Sequence, residues 1–259
     1  MRFVALVLWL AVSLHAATYD LLVQGALDVE LGPLLAALQN KKEVRVETWT
    51  FWTGRIGKQK VVISRTDVGS INAVASTVLG IQKFRPKRII NQGTAGGHSR
   101  RVKLWDIVIG EKTTDYAAFK TEHAEEGAGV HPEKWQPRGH AFRFDPAKPT
   151  DHLNFAGDPY LMEKAEKVPY SKGKVYRGNV GTAFQYNREL DYLKAMNKIF
   201  GTDSEDMESA YAAGAAAAHK VPFLAIRIIS DTEWEHPRFE RIAGQYCAEF
   251  VRDLILALP

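Results

Sequence analysis

Between residues 18 and 259, short apolar runs bounded by Gly, Pro or charge alternate with segments of helical period, and no other feature restricts the fold as much. A strand, a helix and a further strand pack as parallel strands with a crossover, so the pattern predicts an α/β protein with a mostly parallel sheet covered by helices. Residues 19–23 read as the first strand and Gly25 as its turn. Residues 28–38 read as a helix with Val29, Leu31, Leu34, Leu35 and Leu38 largely on one face. Residues 44–51 and 60–64 read as a hairpin around Gly54 and Gly57, followed by a helix at 70–82. Further strands are expected at 88–91, 105–111, 174–180 and 223–229, and helices at 158–166, 187–199, 207–219 and 237–256.

Residues 113–149 hold no sustained period but carry four prolines together with Phe119, Trp135, Phe142 and Phe144. A loop region of this length is expected to serve as a packed lid or as an oligomer contact. No linker or internal repeat divides the chain, so residues 18–259 are expected to form one domain. At 46% hydrophobic residues it can bury a sizeable core, roughly three quarters of its unfolded surface.

Residues 1–17 differ from the rest: Arg2, an apolar run over 3–14, then Ala16 and Ala17. This resembles a secretory signal peptide, which places the mature protein in the periplasm or outside the cell. The run is too short to cross a hydrocarbon core of ~30 Å as a helix, so no stable membrane insertion is expected. Cys247 is the sole cysteine and can form no internal disulfide. A formal charge of +4 with scattered basic residues excludes an electrostatic case for nucleic acid. The eight histidines show no paired ligand spacing, so neither metal nor cofactor is implied.

Polar residues gather at strand ends where packing alone would not ask for them: 25–30, the glycine cluster 93–97, 206–208, and Ser230 with Asp231. Open α/β sheets place ligands at the carboxyl ends of strands. Glu208 falls in the first turn of a helix, where the backbone dipole favours a carboxylate, and reads either as a ligand group or as a plain helix-start acid. Asp231 emerges from a buried strand four residues after Arg227, and reads either as a ligand group or as an N-cap.

Together the segments Gly25-Ala26-Leu27-Asp28-Val29-Glu30, Asn91-Gln92-Gly93-Thr94-Ala95-Gly96-Gly97, Asp206-Met207-Glu208 and Arg227-Ile228-Ile229-Ser230-Asp231 resemble the nucleoside phosphorylase and nucleosidase superfamily. Within it they are most similar to the methylthioadenosine/S-adenosylhomocysteine nucleosidases. The resemblance implies a three-layer α/β/α sandwich around a twisted mixed sheet, a homodimer, and hydrolysis of the N-glycosidic bond of an adenine-type nucleoside to free base and sugar. Glu30 matches the acid that orients and deprotonates the attacking water, and Asp231 the acid that donates toward N7 of the leaving purine, held by Ser230. Glu208 matches the carboxylate that takes the ribose hydroxyls, and Met207 the side chain that packs on the sugar. Phe184 matches the aromatic that stacks on the base, with the backbone of Gln185 reading its edge. Thr94 and Arg227 match positions near the water and the sugar, and Ala95, Gly96 and Asp206 complete the expected binding set. Thr182 stands where an acid is usual, and Asp206 is shorter than the usual Glu.

The chemistry agrees with these roles. Breaking a ribosyl bond through an oxocarbenium-like state needs a carboxylate near a water, an acid for the leaving group and clamps for the hydroxyls. Phosphorylases of the superfamily carry arginines for phosphate, one of them where this chain has Asn91, and Glu30 would repel a phosphate dianion. Two alternatives stay open in the sequence: a phosphorylase using Arg100 and Arg101, and an exported nucleoside-binding protein without catalysis.

Overall fold

The computed structural model describes residues 18–145 and 147–259; the leader reading at 1–17 lies outside them. The first strand, β1 (Leu21–Gly25), is buried at every position and delivers the chain to a short 3-10 turn at Asp28–Glu30. A separate helix, α1 (Gly32–Ala37), follows. The helix expected at 28–38 is thus two pieces, because Pro33 lacks an N–H and is tolerated only where a helix restarts.

Three antiparallel strands come next, β2 (Gln39–Val46), β3 (Trp49–Ile56) and β4 (Gln59–Arg65). The single strand expected at 44–51 is broken by a turn in which Glu47 adopts a left-handed φ of 53°. After α2 (Ser70–Phe84), β5 (Arg88–Gly97) runs straight through the glycine cluster, and β6 (Ile107–Asp115) follows.

The stretch expected as a loop from 113 to 149 begins inside β6 and carries two small antiparallel pairs, β7 (Phe119–Lys120) with β8 (Gln136–Pro137) and β9 (His140–Asp145) with β10 (Lys148–His152). Stacked rings of Phe119 and Trp135, 4.0 Å between centroids, tie the first pair, and Trp135 meets Tyr192 edge-on. The remaining elements are β11 (Phe155–Ala156), α3 (Pro159–Ala165), β12 (Val175–Thr182), α4 (Leu190–Phe200), β13 (Ser204–Asp206), α5 (Ser209–Ala218), β14 (Phe223–Thr232) and α6 (Ile242–Ala257).

Ten strands form one mixed sheet in the order β11-β6-β12-β13-β5-β1-β4-β3-β2, with β14 lying between β5 and β6. Because β14 pairs with both β5 and β6 while β13 joins β12 to β5, the strands β5, β14, β6, β12 and β13 close a ring. Alternate side chains of the central strands feed two apolar layers. Leu21, Val23, Leu224, Ile226 and Ile228 pack under α1, α3 and α6. Leu22, Phe51, Ile89, Phe223 and Ala225 pack under α2 and the alanine-rich face of α5. The result is the helix-sheet-helix sandwich expected from the sequence.

Candidate active site

The ring of strands opens at one end into a cleft of about 200 Å3. Glu30 reaches it from the turn after β1, Thr94, Ala95 and Gly96 from β5, and Ser230 and Asp231 from β14. Asp206, Met207 and Glu208 enter between β13 and α5, and Gln185 from the segment after β12. Ten of the twelve residues expected in the site therefore meet in one wall, although they are spread over some two hundred positions of chain.

Glu30 is 3% exposed and held by four donors. Its Oε2 accepts from the backbone N–H of Ala26 at 2.8 Å and of Leu27 at 3.0 Å. Its Oε1 accepts from the N–H and hydroxyl of Thr94 at 2.9 and 3.0 Å. The carboxylate is fixed in position by main chain from the turn after β1 and from β5. Gly93 makes the approach possible: a Cβ there would stand 2.7 Å from both Glu30 Oε1 and the Arg227 guanidinium.

A bulge at Ser230 shifts the register of β14 so that Asp231 faces Gly96 of β5, the kind of re-aiming that bulges produce beside functional sites. Asp231 is buried, and its partners are hydroxyls: Ser230 donates to Oδ1 at 2.7 Å and Tyr186 to Oδ2 at 3.5 Å. The side chain is not an N-cap. Burial pushes its pKa above the usual Asp range; the serine bond opposes the shift, and the charges of Glu205 and Glu233 add to it.

Glu208 stands at the N-cap of α5, one residue ahead of the expected first turn, yet it does not cap the helix. That work falls to Asp206 and Thr182. Asp206 Oδ1 accepts from the N–H groups of Glu208 and Ser209, both at 3.1 Å, and Thr182 Oγ1 accepts from Ala210 N–H at 2.9 Å. Glu208 is thereby left free to face the cleft, with Oε1 accepting from Gly69 N–H at 2.8 Å. Burial and the neighbouring Asp206 push it up to about 7, against the pull of Arg227 and the Gly69 N–H. Gly69 has a φ of 99°, and a Cβ on it would strike the Phe184 ring at 2.6 Å, so this donor position demands glycine.

Arg227 lies beneath the cleft floor rather than in its wall. Its guanidinium bonds Asp206 Oδ2 and Asn91 Oδ1, and meets Ser209 Oγ at 2.9 Å. Burial works against its charge, but the carboxylates of Asp206, Glu208 and Glu30 outweigh that and hold it above the ordinary arginine value. Phe184 also lies outside the lining: it is 64% exposed, with its ring against Gly69. Tyr186 and Phe239 are the aromatics that line the cleft.

Sequence reasoning missed Tyr186, Phe239 and Glu205. Glu205 sits in the three-residue strand β13, too short to show an alternation, and is 7% exposed. Its Oε2 takes Tyr116 Oη at 2.6 Å, Asn187 Nδ2 at 3.0 Å and His98 Nε2 at 2.8 Å, while His98 Nδ1 meets Thr202 Oγ1 at 2.9 Å. Burial alone would raise this acid; its bonds to His98, Tyr116 and Asn187 prevail and hold it below the usual Glu range.

Among the described residues five carboxylates line the cleft, Glu30, Glu205, Asp206, Glu208 and Asp231, and no Lys, Arg or His does. Arg101 is engaged elsewhere, paired with Asp203 at 2.8 Å and lying over the Tyr176 ring, and Arg100 lies over Trp234. Asn91 bonds Arg227 and Gln24.

Comparison with known proteins agrees with this architecture. A 5'-methylthioadenosine/S-adenosylhomocysteine nucleosidase from Desulfotalea psychrophila is 31% identical over 211 residues, 80% of this chain and 81% of the relative. The crystal structure of the enzyme of that name from Neisseria meningitidis, in complex with methylthio-immucillin-A, superposes with a TM-score of 0.75 at 22% identity, covering 92% of this chain and 99% of that one. Futalosine hydrolase of Helicobacter pylori shares the fold with a TM-score of 0.73 at 18% identity, covering 92% and 97%. Residues 20–256 match the family model of the Phosphorylase superfamily, and the chain belongs to that family.

Proposed function

We propose that the chain is a nucleosidase that hydrolyses the N-glycosidic bond of an adenine-type nucleoside to free base and sugar. What carries this reading is the unlike surroundings of two buried acids in one cleft: Glu30 clasped by four donors, and Asp231 pushed toward its protonated form. Asp231 gives its proton to N7 of the base as the bond to C1' breaks and the electron pair passes to the purine. Thr94 Oγ1 turns from Glu30 toward the sugar, freeing a lone pair of Oε1 to hold the water and take its proton as the oxygen bonds C1'. Glu208, once ionised, accepts the ribose hydroxyls, and Met207 packs on the ring. Arg227 acts from below, holding Asp206 and so the start of α5.

Water is favoured over phosphate because a dianion would enter a wall of carboxylates, with no cation among the described lining residues to meet it. The relatives named for methylthioadenosine and adenosylhomocysteine support an adenine base. Retention of Glu30 and Asp231 in one cleft weighs against a binding protein without catalysis. The test is release of free base from adenosine, methylthioadenosine, adenosylhomocysteine and inosine by the purified protein; no turnover of any of them would refute the reading.

A homodimer belongs to the same proposal. Val68 at the cleft, Ile71 and Val74 on α2, and Phe184 against Gly69 leave apolar surface exposed, where a second copy can cover it. Export through the 1–17 leader would place this activity on nucleosides outside the cytoplasm, and N-terminal sequencing of the secreted form tests it.

A further inference from the structure

Glu205 has no part in the mechanism above, yet it is a buried acid in the wall of the same cleft. Its two oxygens differ. Oε2 is filled by His98, Tyr116 and Asn187. Oε1 receives one long contact, the Asn187 N–H at 3.3 Å, and so keeps acceptor capacity. The space it faces is the gap left by Gly96: a Cβ on that residue would stand 3.4 Å from Glu205 Oε1 and 3.4 Å from Asp231 Oδ2. Two carboxylate oxygens therefore border one slot over Gly96, one of them belonging to the proposed N7 donor.

From this geometry we infer that Glu205 is the residue that selects the substituent at C6 of the leaving base, accepting a hydrogen bond from a 6-amino group and rejecting a 6-oxo group. The inference rests on the nucleosidase reading. With N7 at Asp231, the neighbouring substituent of the purine points along the slot toward Glu205 Oε1. An amino group there satisfies an acceptor that is otherwise nearly unpaired. A carbonyl oxygen there faces an acid with no proton to offer, and sites built to bond a polar substrate group discriminate strongly against its inverse.

The surrounding network makes the test sharp. In Glu205→Gln the three donors on the Oε2 side fix the amide oxygen there, so the amide NH2 must take the place of Oε1. The variant then offers a donor to the slot, at the expense of the 3.3 Å contact from Asn187. We would measure kcat/KM for adenosine and inosine, which share a sugar, with wild type and Glu205→Gln in phosphate-free buffer. The expected result is a fall of roughly 10- to 100-fold in the adenosine-to-inosine ratio, the scale of one charged hydrogen bond. An unchanged ratio, even with both activities lowered together, would show a structural role only and overturn the inference. If Glu205→Gln does not fold, Glu205→Asp keeps the charge but withdraws it by one methylene; the ratio should again fall, and an unchanged ratio again overturns the inference. Failure of the underlying reading looks different: wild type would release base from none of adenosine, inosine, methylthioadenosine and adenosylhomocysteine.

Discussion

Thr182 Oγ1 donates to Asp206 Oδ1 at 2.6 Å, in a place where neither side chain is exposed. The two positions at which the sequence departs from the nucleosidase pattern are thus partners: a hydroxyl stands where an acid is usual, and it meets the acid that has been shortened. Together they cap α5 and leave Glu208 to the cleft. Thr182→Val keeps the shape but strands the Ala210 N–H and one lone pair of Asp206. We expect a loss of about 1–3 kcal/mol in denaturant unfolding, with a raised KM and little change in kcat. Unaltered stability would contradict the capping role.

Asp231→Asn retains an acceptor for Ser230 but cannot protonate the base. General acids contribute roughly 10²- to 10⁴-fold, and kcat should drop by that factor while the melting curve stays near that of wild type. In the wild type, activity should decline as pH rises through the elevated Asp231 value, since the protonated form is the one that works. Unchanged turnover in the variant would remove Asp231 from the mechanism.

Glu208 gives a second pH dependence with the opposite sense. It accepts sugar hydroxyls as a carboxylate, so KM should rise as pH falls through about 7, and this dependence should vanish in Glu208→Gln at the expense of weaker binding throughout. Stability carries the same signature. Between its ordinary 4.5 and about 7 the folded state binds more protons at this site than the unfolded chain, so its contribution falls as pH rises across that window. Stability curves of wild type and Glu208→Gln across the window should differ in slope in that sense; parallel curves would show that Glu208 is not perturbed.

The alternation of apolar runs and helical periods made the sheet legible, because strands such as β14 are buried at all ten positions and show it as an apolar run over 223–229, interrupted at Arg227, before the polar end at 230–232. What escaped was set by single backbone positions. Glu47 turns the chain in a conformation unusual for its type, and Pro33 splits one amphipathic stretch into two helices. The small strand pairs after β6 are held by ring contacts such as Phe119 on Trp135, which leave no period to read. In the site, residues carried by a motif at a strand end were found, whereas Tyr186, Phe239 and Glu205 arrive from segments whose placement depends on the closed ring of strands. The motif also placed Phe184 over the base and Arg227 beside the sugar. In the structure the first lies outside the cleft lining and the second below it.

The measurement that bears most directly on the central claim is product analysis of methylthioadenosine cleavage with and without phosphate. The carboxylate-lined cleft, without a cation among its described lining residues, and the clasped Glu30 predict free adenine and free sugar at a rate indifferent to phosphate. Strict dependence on phosphate, with a sugar 1-phosphate as the product, would contradict it.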